Sequence, residues 1–275
     1  MDLSANKEVK PPVWTKYKSS GTWYGPVSDC DVLQIRESMV RAKTEKELLR
    51  LLLELFKWGD FSQKPLFIEL LNHTEDEVVL HLGIRVFCSI CTHEDLRDSN
   101  NLYFLGCAEA EAVRVFASAA ESTLSLEAIP YLLALLEQWD GHADISRALR
   151  DSIDAITDCR KVAGDRATID ELGQAYVEYT ETLDTQKYYY RTKPAFPGDL
   201  TKVLMQRVFM AANQGQSLDM DQISALLSIW SGEKVPGESH TVIHSGNYQH
   251  FVAYVQNLAK KPWEKGAKYF YGHQL

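Results

Sequence analysis

Between Ser62 and Asp158 apolar residues recur at three- and four-residue intervals, a pattern that predicts an unbroken run of amphipathic helices. Upstream, Asp29 or Asp31 can cap a first helix reaching about Arg41. Thr44 and Glu47, at capping-box spacing, open a second. Leu48, Leu49, Leu51, Leu52, Leu53, Leu55 and Phe56 give that helix a wide apolar surface, suited to packing on more than one neighbour, and Gly59-Asp60 ends it. A helix with Pro65 in its first turn runs from Ser62 to about Asn72. A longer one runs from Thr74, its expected cap, to about Thr92, with Val78, Val79, Leu82, Val86, Phe87 and Ile90 facing inward. After a polar linker (93–101) come helices over 109–120, 125–139 and 144–159, broken at Asp140-Gly141. Beyond a connector at 161–168, helices are expected at 169–182, 199–213, 219–230 and 245–260, with turn-rich loops at 188–198 and 231–240. No segment reads convincingly as a strand.

Pro65-Leu-Phe-Ile-Glu-Leu-Leu and Pro130-Tyr-Leu-Leu-Ala-Leu-Leu share a pattern 65 residues apart, and the helices after them are offset by a similar 69. That spacing fits two copies of a helical-hairpin unit, the signature of a solenoid. The expected fold is therefore all-α: stacked antiparallel helix pairs in a HEAT-like α-solenoid. Three parts are expected: an irregular, Pro/Gly-rich N-terminal arm over 1–30 carrying Trp14, Trp23 and Tyr24, an acidic helical-repeat block over 31–160, and a C-terminal helical extension over 161–275 packed on the same domain.

Charge changes the picture. The 275-residue chain has a formal net charge of −9. From Glu69 to Asp158 there are 17 acids and 5 bases, a net of −12, so the remainder is mildly basic. Acids at helix starts complement the helix dipole and explain Glu75, Asp76 and Glu77. They do not explain the scarcity of bases, because surface helices normally intersperse both signs. Such a one-signed field suits a basic partner and argues against nucleic acid, whose phosphates need a basic surface. No 18-residue apolar stretch suggests a membrane span. The polar N-terminus lacks the apolar segment of a signal peptide, and the five scattered cysteines suit reduced thiols, so a cytoplasmic setting is expected.

Candidate chemistry is sparse. Cys88-Ser-Ile-Cys91-Thr-His93 contains a C-x-x-C pair, but no second pair stands at metal-ligand spacing, and core packing is the simpler reading. His240, His244 and His250 could bind zinc with an open position, although no carboxylate is interleaved. There is no phosphate-binding loop, dinucleotide fingerprint, nucleophile elbow or H-E-x-x-H motif. Pairs such as Glu137 with Asp140, or Glu94 with Asp95, do not stand out among so many acids. No catalytic residue, cofactor site or metal site is assigned.

Four stretches carry a resemblance: Gly59-Asp-Phe-Ser with Leu66-Phe-Ile-Glu-Leu-Leu-Asn72; Arg85-Val-Phe-Cys-Ser-Ile-Cys-Thr-His-Glu-Asp-Leu96; Phe116-Ala-Ser-Ala-Ala120; and Pro130-Tyr-Leu-Leu-Ala-Leu-Leu-Glu137. Over roughly residues 20–185 the chain resembles an all-helical family of bacterial immunity proteins against polymorphic toxins of the contact-dependent inhibition type. The resemblance implies a cytoplasmic antidote, not an enzyme, that binds a cognate toxin domain and covers its active site or substrate surface. Many such toxins are nucleases with basic clefts, which an acidic block could occupy while steering association. The expected contact residues are acids at helix starts and linkers: Glu75, Asp76, Glu77, Glu94, Asp95, Asp98, Glu109, Glu111, Asp140 and Asp144. The rival readings are a helical-repeat scaffold binding another protein and a metal-dependent enzyme using the 240–250 histidines.

Overall fold

A computed structural model describes residues 24–106, 108–164, 166–218, 222–237 and 241–275. Trp14, Trp23 and His240 lie outside the described residues. The fold is all-α, as its helical spacing predicts.

The first helix, α1 (Val32–Val40), is capped by Asp31 in a capping box with Gln34, and α2 (Glu45–Lys57) by Thr44. Next come α3 (Lys64–His73) and α4 (Glu77–Ile90). The cap of α4 is Asp76, not Thr74. The Asp76 carboxylate accepts from both Val78 N and Val79 N, whereas the Thr74 hydroxyl is engaged by Asp76 N and Glu45 and its backbone ends α3. Val78, expected inward, is 49% exposed, while its neighbour Val79 is buried.

The 93–101 linker folds. It forms α5 (His93–Arg97), boxed by Thr92 and Asp95, and a 3-10 turn over Ser99–Leu102 that leads into α6 (Tyr103–Gly106). Then follow α7 (Ala110–Ala119), 3-10 turns at Ala120–Thr123 and Leu126–Ala128, α8 (Ile129–Gln138), α9 (Ala143–Thr157), α10 (Arg160–Ala163) and α11 (Ile169–Thr182). Short hairpins appear where no strand was expected: β1 (Tyr189–Tyr190) with β2 (Lys193–Pro194), and β3 (Tyr269–Phe270) with β4 (His273–Gln274). Between them lie α12 (Pro197–Gln214), α13 (Gln222–Ser231) and α14 (Ser245–Leu258).

Helices α2, α4, α7 and α9 pack side by side as a row, while α3, α8 and α11 form a second layer. The row is parallel. Lys46 in the first turn of α2 reaches Asp76 at the start of α4 (2.9 Å), and Arg114 of α7 reaches Asp144 in the first turn of α9 (2.7 Å). Pro65 and Pro130 each stand in the first turn of a second-layer helix, α3 and α8, and these pack on α4 and α9. Phe56, Phe67, Phe87, Phe116, Leu132 and Ile153 fill the space between the layers and are essentially inaccessible. Burying each such side chain contributes about 1.5–3 kcal/mol. The same hydrophobic cluster continues without a break into Leu204, Trp230, Phe251 and Phe270, so the C-terminal third shares the core of the row.

Candidate functional site: the two edges of the helix row

Because the row is parallel, all four helix starts lie along one edge and all four helix ends along the other. Helix starts leave N–H groups without intrahelical partners and carry partial positive charge, so acids gather there. At this first edge Asp76 is held below the usual carboxylate range, first by its bond from Lys46 and then by the α4 amides it caps. Asp144 is likewise held low, chiefly by the Arg114 guanidinium. Arg114 also pairs with Glu111 within α7, while its bond to Asp144 ties α7 to α9. Burial, more than the nearby acids Glu111 and Glu77 can offset, pushes His81 below its ordinary pKa.

The remaining acids of this edge are different. The side chains of Glu75, Glu77, Glu109 and Asp140 are exposed and form no hydrogen bond or ion pair among the described residues. Glu109 occupies the cap position of α7 yet makes no side-chain capping bond. Two apolar side chains stand in this region, Val78 (49% exposed) in the first turn of α4 and Tyr103 (64%). Tyr103 is placed beside the end of α3 because its neighbour Phe104 N donates to Asn72 Oδ1 (3.1 Å). The basic side chains of the block are sparse, and several are occupied: Arg97 pairs with Glu127 (2.8 Å), Arg114 with two acids, and Arg150 donates to the Ala167 carbonyl (2.6 Å).

The ten expected contact acids therefore do not share one surface. Glu75, Asp76, Glu77, Glu109, Glu111, Asp140 and Asp144 lie at the starts of the row. Glu94 and Asp95 follow the far end of α4, roughly 20 Å away by helix rise, whereas Asp98 lies partway back, bonded to Asn100, whose carbonyl accepts from Asn72 at the end of α3. Of those three, Asp95 is committed to structure, accepting from Lys64 (2.8 Å) and from Thr92 N (2.7 Å). Asp98 accepts from Asn100 N (3.0 Å), and of the three only Glu94 has a side chain in no hydrogen bond or ion pair among the described residues. Tyr103 and Glu45, which accepts from Thr74, complete the first edge and were missed by sequence reasoning. The capping position of Thr44 could have pointed to Glu45; nothing in the local pattern points to Tyr103.

The second edge is covered. Lys57, in the last turn of α2, donates to the Tyr24 and Pro26 carbonyls (2.6 and 3.1 Å) and pairs with Glu54. The His273 ring lies against Gly59, at φ +78°, where a β-carbon would sit 2.5 Å from Nδ1, so that turn needs glycine on both counts. Lys268 is fully buried and donates to the Cys88 and Cys91 carbonyls (2.9 and 2.8 Å), supplying a cation at the negative end of α4. Its Nζ also lies 3.6 Å from Cys91 Sγ and 5.7 Å from the centre of the Tyr188 ring. Arg191 N and Thr192 N satisfy the last-turn carbonyls of Ala155 and Ile156 in α9. Tyr271 N and Gly272 N do the same for Ile229 and Trp230 of α13.

The other candidate chemistries are absorbed into structure. Cys88 and Cys91 are wholly buried, and burial pushes both thiols up, away from nucleophilic or redox reactivity. His244 caps α14: its Nδ1 accepts from Gly246 N (3.1 Å). His250 is exposed, and among the described residues no group of three His, Cys, Asp or Glu side chains could hold a metal ion. No helix among them is long and apolar enough to cross a membrane.

A family model described as Immunity protein 47 matches residues 18–275. The match takes in the C-terminal third, which lay outside the stretches that carry the resemblance. No curated protein and no solved structure gives a significant match.

Proposed function

The chain belongs to the Immunity protein 47 family, and from that premise we propose that it is a cytoplasmic bacterial antidote that binds a cognate toxin domain and covers its active site or substrate surface. The contact face in this reading is the edge of helix starts. The observation that carries it is the set of exposed carboxylates there, Glu75, Glu77, Glu109 and Asp140, which serve no cap and no ion pair. Asp76, Glu111 and Asp144 add charge to the same edge while being held in place by Lys46 and Arg114. Val78 and Tyr103 supply apolar area among the charges, the arrangement in which a few desolvated anchors hold a complex inside a charged rim.

The partner surface that complements this edge is basic, as in a nuclease that holds phosphates. Long-range attraction then raises the association rate, and salt lowers it. In this reading the chain works by occlusion and not as an enzyme, and its setting is contact-dependent growth inhibition. In this reading Glu94 and Asp95, which follow the far end of α4, fall outside the contact.

The test is growth rescue. The toxin domain encoded beside this chain is expressed with and without it, and complex formation is followed by co-purification. Protection together with a stable complex is expected. Loss of viability in both cultures, with no complex recovered, would remove the proposal.

A further inference from the structure

His93 stands where three parts of the molecule meet. It begins α5 and is 7% exposed. Its Nδ1 lies 2.7 Å from Ser125 Oγ, which caps the turn before α8, and its ring stacks on Tyr188 with centroids 4.1 Å apart. Ser125 Oγ also accepts from Glu127 N (3.1 Å), so its own proton is free to be donated to Nδ1. The ring is then the tautomer with its hydrogen on Nε2, and Nε2 is buried without a partner at hydrogen-bonding distance.

The charged and titratable groups around the ring are mostly unfavourable to a second proton. Lys268 approaches from the β3 side and Arg97 from α5 itself, both cationic. Glu127 before α8 and the Gln186 backbone favour a charged ring, and Asp184 faces it from the same connecting segment. The Tyr188 phenol, itself pushed up by burial, stays neutral.

We propose that His93 is an acid-sensitive joint between the helix row and segment 184–195. A proton taken up at Nδ1 breaks the Ser125 O–H···N bond. It leaves a buried cation against Lys268 and Arg97, and the segment carrying Tyr188 lifts from the row. The joint is closed while the ring is neutral. Burial first, then Lys268 and Arg97, holds the ring pKa at about 4. A freed histidine titrates near 6.5, so acid favours the open form and neutral pH the closed one. Between pH 7 and pH 5 the opening equilibrium rises roughly twentyfold. Asp76 and Asp144 are held below the usual carboxylate range and keep their charge at pH 5, so the joint opens while the other edge is unchanged.

Hydrogen exchange of the full chain at pH 7 and pH 5, corrected for intrinsic rates, tests this without any toxin, and so stands apart from the antidote reading. The amides to follow are Tyr188, Tyr189 and Ala195, which bond to the Gly266, Leu124 and Tyr188 carbonyls. The wild type should lose roughly twentyfold in protection at these amides while α7 and α9 keep theirs. His93→Phe retains the stack, and His93→Asn retains an acceptor for Ser125; neither takes up the proton, and both should change less than about threefold. Equal losses in the wild type and in either folded variant would overturn the joint, as would loss of α7 and α9 protection in step with segment 184–195.

Discussion

The two edges of the helix row solve the same electrostatic problem in opposite ways. Both present the ends of four aligned helices, with unpaired backbone groups and a partial charge. At the edge of helix starts the answer is local: Thr44, Asp76 and the Arg114–Asp144 pair belong to the row or its immediate flanks, and the surface stays open. At the edge of helix ends the answer comes from far along the chain. Lys268 bonds to carbonyls 177 and 180 residues away, and Tyr271 donates to the Gly25 carbonyl across 246 residues. The open edge is free to carry function because its neutralising groups need no cover, whereas the closed edge is where the fold is locked.

The largest effect should come from the locked edge. Lys268→Ala leaves two buried carbonyls unpaired and opens a cavity, and should destabilise the protein by about 3–5 kcal/mol in urea unfolding. Lys268→Met, which keeps most of the volume, should cost less, about 2 kcal/mol. If both variants unfold like wild type, the covered edge is not what holds the fold together.

At the open edge the same size of change should move binding and spare stability. Reversing Glu77, Glu109 and Asp140 to Lys should slow association with the toxin domain by about tenfold at low salt and flatten its salt dependence. Stopped-flow association rates across a salt series measure this, with Glu94→Lys as the control from the opposite edge. An unchanged rate in the triple variant, or an equal loss in Glu94→Lys, would erase the distinction between the edges as a functional one.

Much of this was legible because helices are local objects. Helix α11 occupies the 169–182 range that its spacing predicts, and Thr44 and Asp31 cap where capping chemistry says they should. Cys88 and Cys91 lie buried, as the apolar reading of their helix had it. What escaped was whatever depends on distant partners. The tail after Lys261 reads as basic and aromatic, yet Lys268 is buried because a helix end 177 residues upstream receives it. The grouping of the acids into two edges also follows from the parallel run of the row, which no local pattern encodes. Thr74 misled because Ser, Thr, Asp and Asn are all good caps, and the choice of Asp76 turns on where α3 stops.

Two smaller effects would sharpen the picture of the open edge. Asp76→Ala removes a cap bonded to two amides and should cost about 1 kcal/mol, lowering the melting temperature by a few degrees. Arg114→Ala removes exposed ion pairs and should shift stability by no more than about 0.5 kcal/mol. A larger loss would mean that Arg114 braces the row instead of balancing its charge.

The reach of Lys268 also has a kinetic side. The helices of the row and their short connections can form from nearby residues as soon as those are made. The lock at the end of α4 cannot close until residue 268 has been synthesised and has found its place. Until then the last turn of α4 presents open carbonyls and two cysteines. The protein should therefore fold in two stages, a fast one that assembles helices and a slower one, set by long-range loop closure, that seats the β3–β4 hairpin. A cell that relies on this chain for protection must wait for the second.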